Sequence, residues 1–135
     1  MTTILATDLD GTFLGGSDAQ RDALYSWITE RRAGITLIYL TGRSLTTMRD
    51  VLESLPLQPD HLVANVGTSA LLGPAWAPHP DVEEWLDMRW RSDAAARLAA
   101  RLAREFPALE PQPVVEGRRL SYFYDECVPL DVLGA

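Results

Sequence analysis

The sequence predicts an α/β fold built on a parallel sheet, and three observations lead there. Short apolar runs alternate with amphipathic helical stretches through the first 55 residues. Each run ends in a polar or glycine-bearing turn. All nine prolines come after that stretch, so nothing interrupts the alternation. Strands that alternate with helices pair in parallel through crossover connections.

The elements follow in order. Thr3 to Thr7 is a short β-rich run stopped by Asp8, Asp10 and Gly11. Ala19 to Arg32 carries Ala23, Leu24, Trp27 and Ile28 at helical spacing, with Gly34 placed as a C-terminal stop. Ile35 to Leu40 is nearly all apolar, the pattern of a strand covered on both faces. Ser44 caps a helix whose Leu45, Met48, Val51, Leu52 and Leu55 form one stripe, closed by Pro56. Leu62 to Val66 reads as a third strand ending at Gly67. Residues 73–80 hold three prolines and read as a turn-rich passage or linker. Asp81 to Trp90 then predicts a short helix, and Ser92 opens a longer one bearing Leu98, Leu102 and Phe106 on one face. Pro107, Pro111 and Pro113 end it, and Leu120 to Tyr124 reads as one more strand.

Composition narrows the function classes. With 135 residues, 47% of them apolar, the chain can bury a core of its own. Its 12 cationic residues are all Arg, set against 19 carboxylates for a net charge of -7. Before residue 76 there are 5 Arg against 8 acids, and after it 7 against 11, so neither half is basic. That sign excludes a general nucleic-acid or anionic-membrane binder. No apolar run approaches the roughly 18 residues of a membrane span. The N-terminus lacks the cationic region of a signal peptide, and the single Cys127 has no intramolecular disulfide partner, so the expected setting is the cytoplasm.

Ligands of open α/β sheets gather at the carboxyl ends of the strands. Here those ends are Asp8-Leu9-Asp10-Gly11-Thr12, Thr41-Gly42-Arg43-Ser44 and Asn65-Val66-Gly67-Thr68. Asp8 and Asp10, two positions apart, can face one side at the strand tip while Leu9 turns into the core. Two crowded carboxylates repel, which a divalent cation or a shared proton relieves. Thr41 and Gly42, at the opening of a helix, offer a hydroxyl and free N–H groups suited to a phosphate oxygen. Ser44 reads as a cap. His61 and His79 read as surface loop residues, without metal-ligand spacing. The four Trp read as packing residues.

The run Asp8 to Thr12 after an apolar strand resembles the first motif, DxDGT, of the haloacid dehalogenase-like (HAD) phosphatases, and Thr41 resembles their second. Leu5 to Thr12, Tyr39 to Leu45, Asn65 to Thr68 and Leu120 to Asp125 together look like the sucrose-phosphate phosphatase branch. The resemblance implies a partial Rossmann-like core over residues 1–74, then the beginning of an α/β cap over 75–135. It implies a phosphohydrolase acting on a sugar phosphate such as sucrose 6-phosphate, through an aspartyl-phosphate. Asp8 would be the nucleophile and Asp10 the general acid, then base. Mg²⁺ would be held by the Asp8 carboxylate and the Asp10 backbone carbonyl. Thr41 and Gly42 would bind phosphate oxygens, with Arg43 and Asn65 reaching substrate or bracing the loops.

The family pattern also has a third-motif Lys and a fourth motif of paired acids. This chain has no Lys, and after Tyr124 its acids are Asp125, Glu126 and Asp131, none in that setting. Removing a partner from a buried charge cluster commonly costs about 3–5 kcal/mol. A second reading is therefore a truncated, catalytically impaired relative that keeps only a phosphate or Mg²⁺ pocket or an interaction role. A phosphomutase is a third. A sheet lacking later strands would expose an edge, which a homodimer could cover.

Overall fold

The computed structural model describes residues 2–113 and 117–123. Eleven regular elements run in order among the described residues: β1 (Thr3–Asp8), α1 (Asp18–Glu30), β2 (Ile35–Leu40), α2 (Leu45–Ser54), β3 (His61–Ala64), β4 (Ser69–Leu72), β5 (Ala77–Pro78), α3 (Pro80–Arg89), α4 (Ser92–Glu105), β6 (Glu110–Pro111) and β7 (Tyr122–Phe123). The main sheet has the order β1-β2-β3-β4-β5, with β1 at one edge, and β6 and β7 form a separate pair.

The first three strands pair in parallel, as the alternation predicts. The sheet is mixed, however. β4 turns back antiparallel on β3, and β5 turns back on β4. The proline-rich passage thus hides a strand: a turn with a cis Gly73-Pro74 bond precedes β5. Two-residue strands leave too little alternation to be read, and Pro78 within one argues against it. The third strand also stops at Ala64, two residues short of Val66, because Asn65 and Val66 turn left-handed.

Local chemistry accounts for the helix ends. Ser17 caps α1 in a reciprocal box with Gln20, and Ser44 caps α2 by accepting from the Thr47 N–H. α1 stops at Glu30 and runs into a short turn over Arg32–Gly34, so Gly34 is not a left-handed cap. His61 opens β3 and His79 precedes the first turn of α3, where Pro80 sits at a position that needs no N–H.

The core lies between the sheet and helices α1 and α2. Leu9, Ile28, Leu37, Tyr39, Met48 and Leu62 are sealed within it. Tyr39 keeps its hydroxyl satisfied by donating to the Leu57 carbonyl at 2.8 Å, and its ring meets Phe13 at 5.0 Å. Along β2 full burial falls on Ile35, Leu37 and Tyr39, while Thr36 and Ile38 are half-buried. That strand is sealed on one face and only partly covered on the other. Trp76 packs against the core, but Trp27 and Trp85 are half exposed, each beneath a guanidinium, Arg31 and Arg89. α4 has no fully buried residue. No helix among the described residues is long and apolar enough to cross a membrane. Tyr124, Asp125, Glu126, Cys127 and Asp131 lie outside the described residues.

Candidate active site

Parallel pairing fixes where the motifs meet. Asp8 stands abreast of Leu40, and Leu40 abreast of Val63, so β1, β2 and β3 end along one line. The next residues of each strand therefore share one rim of the sheet. They are Leu9–Phe13, Thr41–Ser44 and Asn65–Gly67.

On the first strand the two aspartates part company. Asp8 is the last residue of β1, whereas Asp10 sits in the following turn, with φ -71° and ψ 120°. Gly11 then takes φ +76°, a left-handed conformation that glycine adopts without penalty. Leu9 is sealed in the core, as the alternation predicts. The exposed Asp8 carboxylate accepts one long bond, 3.2 Å from the Thr12 hydroxyl, and no cation pairs with it among the described residues. Asp10 is engaged differently. Arg43 grips it with both arms, Nε to Oδ2 at 2.9 Å and Nη2 to Oδ1 at 2.6 Å. That guanidinium holds the Asp10 carboxyl below the usual carboxylate range, and Arg43 is raised in turn.

The second strand end is a built turn. Thr41 is buried, its N–H bonds to the Val63 carbonyl at 2.9 Å, and its hydroxyl oxygen accepts from the Arg43 N–H at 3.1 Å. With the oxygen's acceptor role taken by the backbone, the hydroxyl proton is left to donate. Beside it, the opening of α2 aims helix N–H groups outward.

The third strand end is strained. Asn65, Val66 and Gly67 have φ of 53°, 58° and 88° in succession. A β-branched residue in that region is a true outlier, and such strain concentrates at functional sites. Asn65 is 0% exposed; its N–H reaches the Arg43 carbonyl at 2.8 Å and its Nδ2 donates to the Ser69 hydroxyl at 2.9 Å. Its Oδ1 is buried without a partner among the described residues. Asn65 thus ties the Arg43 turn to the start of β4.

A fourth segment joins the rim, one the motif pattern passes over. Gly117 is seated on the Asn65 turn so closely that a Cβ there would lie 2.7 Å from the Thr68 hydroxyl and 2.8 Å from Asn65 Cβ. Arg118 donates its N–H to that hydroxyl at 3.1 Å and pairs with Glu83 and Asp87 of α3 at 2.9 and 2.5 Å. Arg119 reaches back to the Gly42 carbonyl at 2.6 Å. The available signal was two adjacent Arg after a glycine, far from the other cations of the chain's second half.

The donors on this rim suit a hard cation only in part. Asp8 offers a carboxylate with no cation on it among the described residues and Asp10 a backbone carbonyl, the oxygen ligands Mg²⁺ prefers. The Asp10 carboxylate is occupied by Arg43, and no cluster of three acidic, His or Cys side chains suited to a metal occurs among the described residues. The two first-motif oxygens therefore fit a cation that completes its shell with water, phosphate or further ligands.

The sequence pattern of the Sucrose-6F-phosphate phosphohydrolase family matches residues 1–134. The glucosylglycerol-phosphate synthase of Pseudomonas anguilliseptica is 40% identical over 89% of this chain and 15% of its own length. The probable sucrose-phosphatase 3a of Arabidopsis thaliana is 32% identical over 89% of this chain and 29% of its own. The crystal structure of the sucrose-phosphatase from Synechocystis sp. PCC6803, in complex with sucrose and phosphate, superposes with a TM-score of 0.81 at 25% identity. That match covers 99% of this chain and 54% of the other, so the chain spans about half of that structure and less than a third of those two relatives. Motif order, strand register and these likenesses converge: the chain belongs to the sucrose-6F-phosphate phosphohydrolase family, within the haloacid dehalogenase-like fold.

Proposed function

We propose that this chain carries the nucleophile and the phosphate cradle of a Mg²⁺-dependent phosphohydrolase acting on a sugar phosphate of the sucrose 6-phosphate kind. The observation that carries the reading is the exposed Asp8 carboxylate, without a cation partner among the described residues, on the rim that also holds the Thr41-Gly42 turn. The family's name and the sucrose and phosphate of the Synechocystis complex supply the substrate class.

Asp8 attacks phosphorus, forming the aspartyl-phosphate as the bond from phosphorus to the sugar oxygen breaks. Once released from the Arg43 grip and protonated, Asp10 gives its proton to the departing oxygen and then removes one from the water that releases phosphate. Thr41 donates its hydroxyl proton to a phosphoryl oxygen, and Gly42 leaves room for close backbone approach. Mg²⁺, held by the Asp8 carboxylate and the Asp10 carbonyl, would neutralise charge on the transferring group. On this reading residues 1–74 form the core segment and 75–135 the beginning of a cap. A second copy covers the open edge of β1, which pairs only with β2 among the described residues.

The test is phosphate release from sucrose 6-phosphate with and without Mg²⁺. Release that requires Mg²⁺ and vanishes in Asp8→Asn supports the reading, and equal release in that variant overturns it. A second reading is a catalytically impaired pocket that binds without turnover. It is favoured by the two-armed Arg43 grip, which keeps Asp10 ionised and so unable to act as an acid. It predicts phosphate binding with no release.

A further inference from the structure

We propose that Arg119 is an anion-binding residue of this site, brought back to the strand ends to hold oxygens of the substrate's phosphoryl group. This rests on the phosphate-cradle reading above and assigns a role to a residue outside the motifs that suggested it.

Placement comes first. Arg119 Nη1 donates to the Gly42 carbonyl at 2.6 Å across 77 positions of sequence, so its head group lies against the Thr41-Gly42 turn. Its charge has no carboxylate partner among the described residues, while Arg118 beside it engages both Glu83 and Asp87. Arg43, the other guanidinium on the rim, already has both arms on Asp10. Arg119 is therefore the cation with charge to offer an incoming dianion.

The donors agree. Arg119 Nε is buried and has no acceptor among the described residues. A buried donor left without an acceptor is costly, and such a group calls for a partner. With Nη1 on Gly42, the edge formed by Nε and Nη2 remains, and that edge of a guanidinium grips two phosphate oxygens at once. The residue is also held in place: the tight seat of Gly117, the Arg118 N–H to Thr68 and the Arg118 clasp on α3 fix the backbone that presents it.

The experiment titrates inorganic phosphate into the full chain by calorimetry, comparing wild type with Arg119→Gln, Arg119→Lys and Thr41→Val. Loss of a charge-assisted contact predicts phosphate binding weaker by about tenfold or more in Arg119→Gln. Arg119→Lys recovers part of that loss, and Thr41→Val weakens binding as well. Unchanged binding in Arg119→Gln, beside a weakened Thr41→Val, overturns the role of Arg119 and leaves the cradle standing. No phosphate binding by wild type, or none that Thr41→Val alters, overturns the cradle and this proposal together. Phenylglyoxal labelling of the wild-type chain gives a readout that needs no folded variant. Phosphate should slow modification of Arg119 by about tenfold relative to Arg97 on the exposed face of α4, and equal labelling overturns the proposal.

Discussion

Asp60 is the residue whose replacement best tests how the site's platform is held. Its Oδ2 accepts from the Leu37 N–H of β2 at 2.7 Å and its Oδ1 from Arg32 Nη2 at 2.9 Å. Arg32 in turn donates to the Ile35 and Gln58 carbonyls at 2.7 and 3.1 Å, so one carboxylate ties the start of β2 to the loop before β3. Asp60→Asn keeps the shape, but turns an N–H toward one of two donors. A charge-assisted bond to a backbone amide contributes about 1.5 kcal/mol at the low end, and a half-exposed ion pair about 0.5. The expected loss is about 2 kcal/mol, read from urea unfolding at pH 7. The pH dependence has a definite sign. The Arg32 contact, with the Leu37 amide, holds Asp60 below the usual carboxylate value. Its contribution is therefore complete above the unfolded value near 3.9 and is lost as pH falls through the lower folded value. The gap between wild type and Asp60→Asn should stay constant from pH 7 to about 5, then close on further acidification. A gap below 0.5 kcal/mol at pH 7, or one that persists unchanged at about pH 2, would refute the reasoning.

Other outcomes follow from single positions. Gly117→Ala puts a Cβ against Asn65 and Thr68 at φ +79° and should destabilise the chain by about 1–3 kcal/mol; hydrogen exchange should report faster opening at Asn65 to Thr68, and a neutral variant would mean the seat is loose. Val66→Gly relieves a left-handed valine whose side chain is 67% exposed, so little packing is lost. Against an unfolded-state entropy cost it should gain about 0.5–1 kcal/mol in urea unfolding, and a loss would remove the strain argument. Ile4 is 68% exposed on the open edge of the sheet. If a second copy covers that edge, Ile4→Lys should convert a dimer to a monomer in light scattering, and equal masses would exclude the arrangement.

The legible parts of this chain were those governed by short-range rules. The cap at Ser44 and the parallel order of the first three strands depend on spacing that a chain displays openly. Each strand-end motif could be placed for the same reason, since strands that pair in parallel end together. The failures have a common physical source too. β4 and β5 are four and two residues long, and their pairing is a tertiary choice with almost no local period. The partners of Asp10 and Gly42 are 33 and 77 positions away, beyond any pattern of spacing. Asp8 and Asp10 look alike at i and i+2, yet β1 ends at Asp8, and Asp10 falls in the turn that follows. One stays open on the rim and the other turns to Arg43.

Those two separations also set an order of events as the chain is made. Closing the longer loop costs only about 0.7 kcal/mol more than closing the shorter, so entropy hardly separates them. Synthesis does. At about 5–20 residues per second, Arg119 leaves the ribosome roughly 4–15 seconds after Arg43. Throughout that interval Arg43 can already sit on Asp10, neutralising one of the two neighbouring carboxylates in a half-made chain. The rim would then form with Asp10 already paired, and would gain Arg119, a cation with no carboxylate partner among the described residues, last.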